Sequence, residues 1–299
     1  MNDDPKQLSP ERLVRGLVKL LTVEPLDDNL FGGAINPSGV GRVFGGQVIA
    51  QALMAAQHTV SDKRRAHSLH AYFMRPGVEG VPITYHVERD FDGGSFSTRR
   101  VIATQDEKPI LNFACSFQRP ETGLSHQCAM PIVPQPEDLK SERELRVEFE
   151  DQIPEQFRVM FARPRAIEFR PVQPRSWMVS AKTDPVQQSW FRLSAPIGDD
   201  MPMHRAIIAY ASDMSLLATG TLPHGLHWMR GELLSASLDH AIWFHQDCRV
   251  DDWLLYDCHS PWAGGARSMN LGSIYSRDGR LVATVTQEGL MRATSAKPK

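Results

Sequence analysis

Several features that would place this chain of 299 residues in a special class are absent or scarce. The net charge of −2 leaves no excess of positive charge of the kind that binds nucleic acid or anionic lipid. No apolar run reaches the roughly 18 residues that span a bilayer. Residues 1–5 are acidic and lack the basic and apolar blocks of a signal peptide. We therefore expect a cytoplasmic protein that has neither nucleic acid nor a membrane as its partner.

Motifs of common catalytic and metal sites are also missing. No serine is flanked as Gly-x-Ser-x-Gly, which excludes the nucleophile elbow of α/β-hydrolases. The close pairs His224/His227 and His240/His245 lack the His-Glu-x-x-His pattern and are weak indications of a metal site. The sequence therefore predicts no metal and no cofactor. Four widely spaced cysteines without a CxxC pair are expected to be free and buried like small apolar residues: Cys115, Cys128, Cys248 and Cys258.

The sequence repeats itself after a constant shift of 171 positions. Phe73 corresponds to Phe244, and Gly93 corresponds to Gly264. Between these positions both halves alternate apolar and polar residues, which is typical of strands with one buried face. Glycine pairs and one Asp-Gly pair separate the strands, as hairpin connections require. Each half is therefore predicted to end in an antiparallel meander.

An apolar helix precedes the meander in each half. In the first half the apolar stripe follows Gly45-Gly46, and in the second it includes Ala206, Tyr210 and Leu217. Packing a long helix on an antiparallel sheet buries both apolar surfaces, which predicts an α+β fold of two hotdog repeats. We assign residues 1–122 to the first repeat with a leading helix at 11–21, 123–160 to a linker with at most one exposed helix, and 161–299 to the second repeat.

The two copies differ at three polar positions. No acid occurs from 45 to 60, whereas the second helix carries Asp213. Gln287 shares the apolar face of the last strand and corresponds to Ser116 in the first half, and Ser237 is expected to open the strand 237–244. The sequence predicts that Asp213, Ser237 and Gln287 come together at one site in the second half, with no matching site in the first half. Two plainer interpretations stay open: Asp213 ends its helix near water, or the three groups only satisfy each other's hydrogen bonds.

At these residues the sequence resembles the acyl-CoA thioesterase II family of double-hotdog hydrolases. The resemblance covers nearly the whole chain, with ordered motifs at Val43-Phe44-Gly45-Gly46-Gln47-Val48, His67-Ser68-Leu69-His70-Ala71-Tyr72-Phe73, Tyr210-Ala211-Ser212-Asp213, Leu238-Asp239-His240-Ala241-Ile242-Trp243-Phe244-His245 and Thr286-Gln287-Glu288-Gly289.

The resemblance implies hydrolysis of fatty acyl-CoA, with Asp213, Ser237 and Gln287 as catalytic residues. Asp213 would act as general base, Ser237 and Gln287 would hold the water, and backbone N–H groups would receive the oxyanion. Relatives often have Thr where this chain has Ser237, so a methyl group that restricts χ1 is lost. The resemblance also implies a homo-oligomer and an apolar tunnel for the acyl chain.

Two other functions remain compatible with the sequence. A hotdog hydratase or dehydratase acting on enoyl-CoA would need an acid and a histidine, and His70 or His240 could serve. Both histidines are more simply explained as hydrogen-bonded structural residues at strand ends. The second alternative is a non-catalytic acyl-CoA-binding protein with the same groove.

Overall fold

All strands in the described part of the chain belong to one antiparallel sheet. The computed structural model describes residues 8–36, 41–175, 178 and 181–294. The first half contains these elements: α1 (Pro10–Leu21), β1 (Val23–Asp27), β2 (Leu30–Gly33), α2 (Gly45–Gln57), β3 (Arg65–Phe73), β4 (Ile83–Asp92), β5 (Phe96–Gln105) and β6 (Lys108–Gln118).

The second half repeats this order with additions between its helix and its meander. Its elements are β7 (Ile167–Pro171), β8 (Val186–Leu193), α5 (Met201–Ser212), α6 (Leu216–Thr219), β9 (Leu233–Ser237), β10 (Asp239–Phe244), β11 (Leu254–Gly264), β12 (Arg267–Ser276) and β13 (Leu281–Ala293). Strand β12 has the bounds of β5 shifted by 171 positions. The helices do not share this shift, because extra residues follow α5.

The two halves join through their inner strands. Strand β3 pairs with β10, with Leu69 opposite Ile242, so the sheet runs without interruption in the order β1-β2-β4-β5-β6-β3-β10-β13-β12-β11-β8-β7. Strand β9 lies off this path and pairs with β13. Helix α2 packs against α5, and apolar residues from both helices and both halves of the sheet form one core. The predicted α+β double hotdog is confirmed.

Local sequence explains how the helices that frame the core begin. Ser9 caps α1, and Pro10 occupies its first turn, where no backbone donor is needed. Every residue of α2 from Gly46 to Ala56 is buried, including Gln47 and Gln51, as expected for a helix that has no charged residue on any side. Asp200 caps α5 by accepting a hydrogen bond from the Met203 N–H.

The linker differs from the prediction of at most one exposed helix. It contains two, α3 (Glu142–Glu148) and α4 (Glu155–Ala162), and α4 continues past residue 160. Ser141 and Glu144 form a capping box that starts α3. Ile153 and Phe161 are buried in a small separate core, so the segment packs on the protein rather than standing in solvent. The proposed domain boundaries stay a prediction.

Two further expectations are wrong in detail. The second apolar stripe is not one helix, because α5 ends at Ser212 and α6 begins after a turn at 213–215. Of the four free cysteines, Cys115 and Cys258 are buried, but Cys128 is exposed and Cys248 is half-buried. In the ranges that the structure describes, no helix is both long and apolar enough to cross a membrane.

Candidate active site

Asp213, Ser237 and Gln287 lie in mutual hydrogen-bonding contact. Gln287 Nε2 donates to Asp213 Oδ1 at 2.6 Å and to Ser237 Oγ at 2.9 Å. Ser237 Oγ donates to the same Asp213 oxygen at 3.3 Å. The structure therefore brings together the three residues that the sequence singled out, while their roles in a reaction stay a prediction.

Three elements of the second half position these side chains. Asp213 is the C-cap of α5, so it does end its helix, but its side chain is only 4% exposed. Gln287 follows Ala283 and Val285 on the buried face of β13, as the alternation predicted. Ser237 does not open the strand of His240. It closes β9, which pairs with β13 through Ser237 and Gly289, and one residue separates it from β10.

The first half supplies a fourth contact through the start of α2. The Gly46 N–H donates to Asp213 Oδ2 at 2.8 Å. A Cβ on Gly46 would lie 2.6 Å from the Tyr210 carbonyl oxygen, and one on Gly45 would lie 2.8 Å from Asp213 Oδ2. Two glycines are therefore needed for this approach, and the positive end of the helix dipole favours a carboxylate there. The glycine pair stands out in the sequence, but no local pattern there indicates this contact with Asp213.

Burial and hydrogen bonding act in opposite directions on Asp213. Burial raises the pKa of its carboxyl group to about 6, while the hydrogen bonds from Gln287, Gly46 and Ser237 limit the rise. A carboxylate with a pKa near neutrality accepts a proton more readily than an exposed one and is still ionised at pH 7. This is the balance that a general base requires.

Gln287 has a spare acceptor inside the site. Both hydrogens of its amide nitrogen are used by Asp213 and Ser237, whereas Oε1 is buried and has no hydrogen-bond partner among the described residues. An unpaired buried acceptor costs roughly 1 to 3 kcal/mol. Oε1 is therefore suited to accept a hydrogen bond from a small molecule beside Asp213.

The histidines that were considered for catalysis or metal binding are dispersed. His240, near the start of β10, is buried, and its Nε2 lies 2.8 Å from Ser212 Oγ, as expected for a structural residue at a strand end. His70 lies in the middle of β3 against the Trp243 ring, so its predicted place at a strand end is wrong. Within the described ranges, no three His, Cys, Asp or Glu side chains are grouped as metal ligands.

The corresponding region of the first half is built differently. Helix α2 ends at His58 instead of an acid, and Ser116 donates weakly to the Ser97 carbonyl oxygen at 3.5 Å. The buried Arg99 guanidinium occupies this region and bonds Thr59 and Asp92. The trio of acid, hydroxyl and amide thus occurs in the second repeat but not at the matching described positions of the first.

Two cavities adjoin each other, and the smaller one reaches the residues that follow Asp213, although none of the three candidate residues lines either cavity. One of about 190 Å³ is lined by Met214 and Ser215, which directly follow Asp213. A second of about 540 Å³ lies against α1 and the linker helices, and Phe161 and Phe169 line both. The larger cavity has more apolar than polar wall, whereas the wall of the smaller one is about half polar and includes Arg146, Arg165 and Arg175, so a flexible apolar chain fits the larger cavity better.

Comparison with known proteins identifies the family of the chain. A family model described as acyl-CoA thioesterase matches residues 163–290, and one described as acyl-CoA thioesterase N-terminal domain matches residues 35–118. Acyl-coenzyme A thioesterase 8 of Homo sapiens is 40% identical over 91% of this chain and 88% of its own length. Acyl-CoA thioesterase 2 of Haemophilus influenzae is 37% identical over 94% and 98%.

Solved structures show the same relationship. The acyl-CoA thioesterase II TesB2 of Mycobacterium marinum superposes with a TM-score of 0.75 at 40% identity, covering 93% of this chain and 98% of that one. A tesB protein of Mycobacterium avium subs paratuberculosis gives a TM-score of 0.77 at 30% identity, covering 93% and 99%. This chain therefore belongs to the acyl-CoA thioesterase family.

Proposed function

We propose that the protein hydrolyses fatty acyl-CoA thioesters to free fatty acid and CoA, using a water molecule activated by Asp213 and positioned by Ser237 and Gln287. The observation that carries the proposal is the buried carboxylate of Asp213 in contact with both Ser237 and Gln287. Family membership supports the reaction class, and the contacts support the choice of residues.

The first chemical step uses the free acceptors of the site. A water molecule donates one hydrogen bond to Asp213 and the other to Gln287 Oε1, which leaves a lone pair directed at the thioester carbonyl carbon. As the new C–O bond forms, Asp213 takes the proton, and the carbonyl oxygen becomes an oxyanion. Ser237 positions the water indirectly, because Ser237 and the Gln287 amide nitrogen hold the carboxylate in orientation through their hydrogen bonds.

The second step breaks the C–S bond and restores the base. The tetrahedral intermediate collapses, the fatty acid leaves, and the proton on Asp213 passes to the departing thiolate sulfur. A thiolate leaves readily, so no protein nucleophile is needed. We place the oxyanion near the N-terminal turn of α2, because that turn already directs the Gly46 N–H into the site.

Release of CoA tests the function directly. In a thiol-reagent assay, wild type should liberate CoA from palmitoyl- or decanoyl-CoA, and Asp213→Asn should lose about a thousandfold or more in kcat. The matched control Asp239→Asn removes the acid at the start of β10 that contacts the Glu288 N–H, outside the trio. No release above buffer by folded wild type would reject the enzyme and favour an acyl-CoA-binding protein.

Two more measurements separate competing chemistries. Loss of enoyl-CoA absorbance without thiol release would identify a hydratase. Ser237 Oγ also donates to Asp213, so intact-mass analysis during turnover should show unmodified protein if water is the nucleophile. An added acyl mass that disappears in Ser237→Ala would overturn the water mechanism.

The acyl-chain site, subunit number and compartment stay proposals of the same account. The larger cavity, which adjoins the smaller one beside Met214, is proposed to hold the acyl chain, and hydrolysis rates across chain lengths test that assignment. A homo-oligomer is expected to appear in light scattering as a mass that is a multiple of 33.6 kDa. Fluorescence imaging of a tagged chain tests the cytoplasmic location.

A further inference from the structure

His240 lies next to Asp213, the proposed base, and one of its two ring nitrogens has no hydrogen-bond partner among the described residues. The ring is fully buried, and its Nδ1 lies 4.0 Å from Asp213 Oδ1 without a hydrogen-bond partner in the described structure. The other nitrogen, Nε2, contacts Ser212 Oγ at 2.8 Å. A buried nitrogen without a hydrogen bond destabilises the folded protein, so we expect Nδ1 to form a hydrogen bond at some step of the catalytic cycle.

The hydrogen bonds of Ser212 determine which nitrogen carries the proton. Ser212 has a single hydroxyl hydrogen, and it is donated to the Ala209 carbonyl oxygen at 3.0 Å. Ser212 Oγ can then only accept from the imidazole, so the hydrogen of the neutral ring sits on Nε2. Nδ1 is left with a bare lone pair that faces Asp213. Burial lowers the pKa of His240 to about 3, so the ring stays neutral at physiological pH.

We propose that His240 is a positioning residue whose Nδ1 accepts a hydrogen bond from the Asp213 carboxyl group after that group has taken a proton from the attacking water. The inference rests on the proposed function, since it assigns a partner to the protonated form of the base. A hydrogen bond needs a separation of about 2.8 Å, so the carboxyl group moves by about 1 Å toward the ring on protonation. When Asp213 gives the proton to the thiolate, the contact is released.

The direction of the effect on Asp213 follows from the surrounding groups. Nδ1 favours the protonated carboxyl by accepting its hydrogen and disfavours the carboxylate through its lone pair. The opposing donors come from the other packed elements: Gly46 on α2, Ser237 on β9 and Gln287 on β13. Two titratable groups nearby, Tyr210 on α5 and Tyr256 on β11, have pKa values raised by burial and stay neutral. Nδ1 therefore makes Asp213 a stronger base.

Two substitutions separate this role from simple packing. In His240→Gln the amide reaches the position of Nε2 and keeps a polar contact to Ser212, but nothing replaces Nδ1. In His240→Asn the shorter amide replaces Nδ1 and loses the Ser212 contact. The control His245→Gln changes an exposed histidine just after β10 that contacts Thr284, outside the site.

The readout is the acidic limb of the kcat/KM profile. With His240→Gln we expect that limb to move to lower pH by about one unit and kcat to fall about tenfold, while His240→Asn keeps the limb within about 0.3 units of wild type. A purely structural role would reduce thermal stability in both variants without moving the limb. An unchanged limb in folded His240→Gln, or a move to higher pH, would overturn the inference.

A second measurement does not depend on turnover. The ¹⁵N spectrum of wild type containing labelled histidine should show His240 protonated on Nε2 and bare on Nδ1, with the signal assigned by its absence from either variant. A proton on Nδ1 would overturn the inference. If Asp213→Asn retains turnover, the proposed function fails first; if Asp213→Asn is inactive but His240→Gln matches wild type, only the role of His240 fails.

Discussion

Replacing Asp213 by Asn should change how the stability of the protein depends on pH. The carboxyl group is buried, and its pKa is raised from 3.8 to about 6 in the folded state. In the unfolded chain it returns to its ordinary value, so between these two values the folded state binds more protons than the unfolded state. The free energy of unfolding contributed by this group is therefore highest at low pH and falls as the pH rises through about 6. Asn does not titrate, so the variant lacks this pH-dependent contribution to the free energy of unfolding.

The size of the effect follows from the two pKa values. A pKa difference of about two units lowers the free energy of unfolding by roughly 3 kcal/mol at a pH where Asp213 is ionised in both the folded and the unfolded state. Part of that loss is already present at about pH 5, because the unfolded chain is ionised there. Between about pH 5 and about pH 8 the expected change is therefore roughly 1.4 kcal/mol. The new amide also places a donor or an acceptor against Gly46, but that cost does not depend on pH.

Urea unfolding of both proteins at these two pH values measures the prediction. The stability of Asp213→Asn relative to wild type should increase by about 1.4 kcal/mol from the lower to the higher pH. Other carboxyl groups titrate in both proteins and cancel in the difference. A pH-independent difference would mean that Asp213 has an ordinary pKa, and the argument for a buried general base would fail.

Four further results are expected. Gly46→Ala should lower stability by about 1 to 3 kcal/mol and reduce kcat, because its Cβ would meet the backbone carbonyl of Tyr210; retention of both would contradict the close approach. Gly16→Ala in α1 has open space around it and should stabilise by about 0.5 to 1 kcal/mol in thermal or urea unfolding. A thiol reagent should label the exposed Cys128 quickly and Cys258 only after unfolding, because Cys258 is buried and burial also raises the pKa of its thiol. Cys128→Ser should therefore remove the fast background in the CoA assay. Fast labelling of Cys258 in the folded protein would contradict its burial. kcat/KM should rise as the pH passes through about 6 in wild type, because the base must be ionised, and a profile that is flat across that range would contradict this.

The repeat made most of the fold predictable from sequence. Glycine and aromatic landmarks recur with one spacing because each meander needs the same turns and the same buried face. That spacing located β5 and β12 within matching bounds. The pairing of β3 with β10 could not be predicted in this way. The two strands belong to different repeats, and no local sequence signal shows which edge strand of one repeat pairs with which edge strand of the other.

The site was predictable only where one strand or helix carried the signal. Gln287 was found because β13 alternates strictly, and Asp213 because it is an acid in an apolar stripe. Ser237 was placed on the wrong strand, since β9 and β10 are separated by one residue and read as a single run. The contact of Gly46 with Asp213 and the role proposed for His240 depend on elements that are far apart in sequence, and no periodicity indicates them.

A double-mutant cycle on Asp213→Asn and Gln287→Ala tests the central claim most directly. If both side chains act on one water molecule, the double variant should have nearly the kcat of Asp213→Asn alone, because the amide has nothing left to assist once the base is gone. The cycle is measured as CoA release from one saturating acyl-CoA at a pH above 7. Losses that multiply independently, or full turnover in either single variant, would contradict a shared catalytic water at this site.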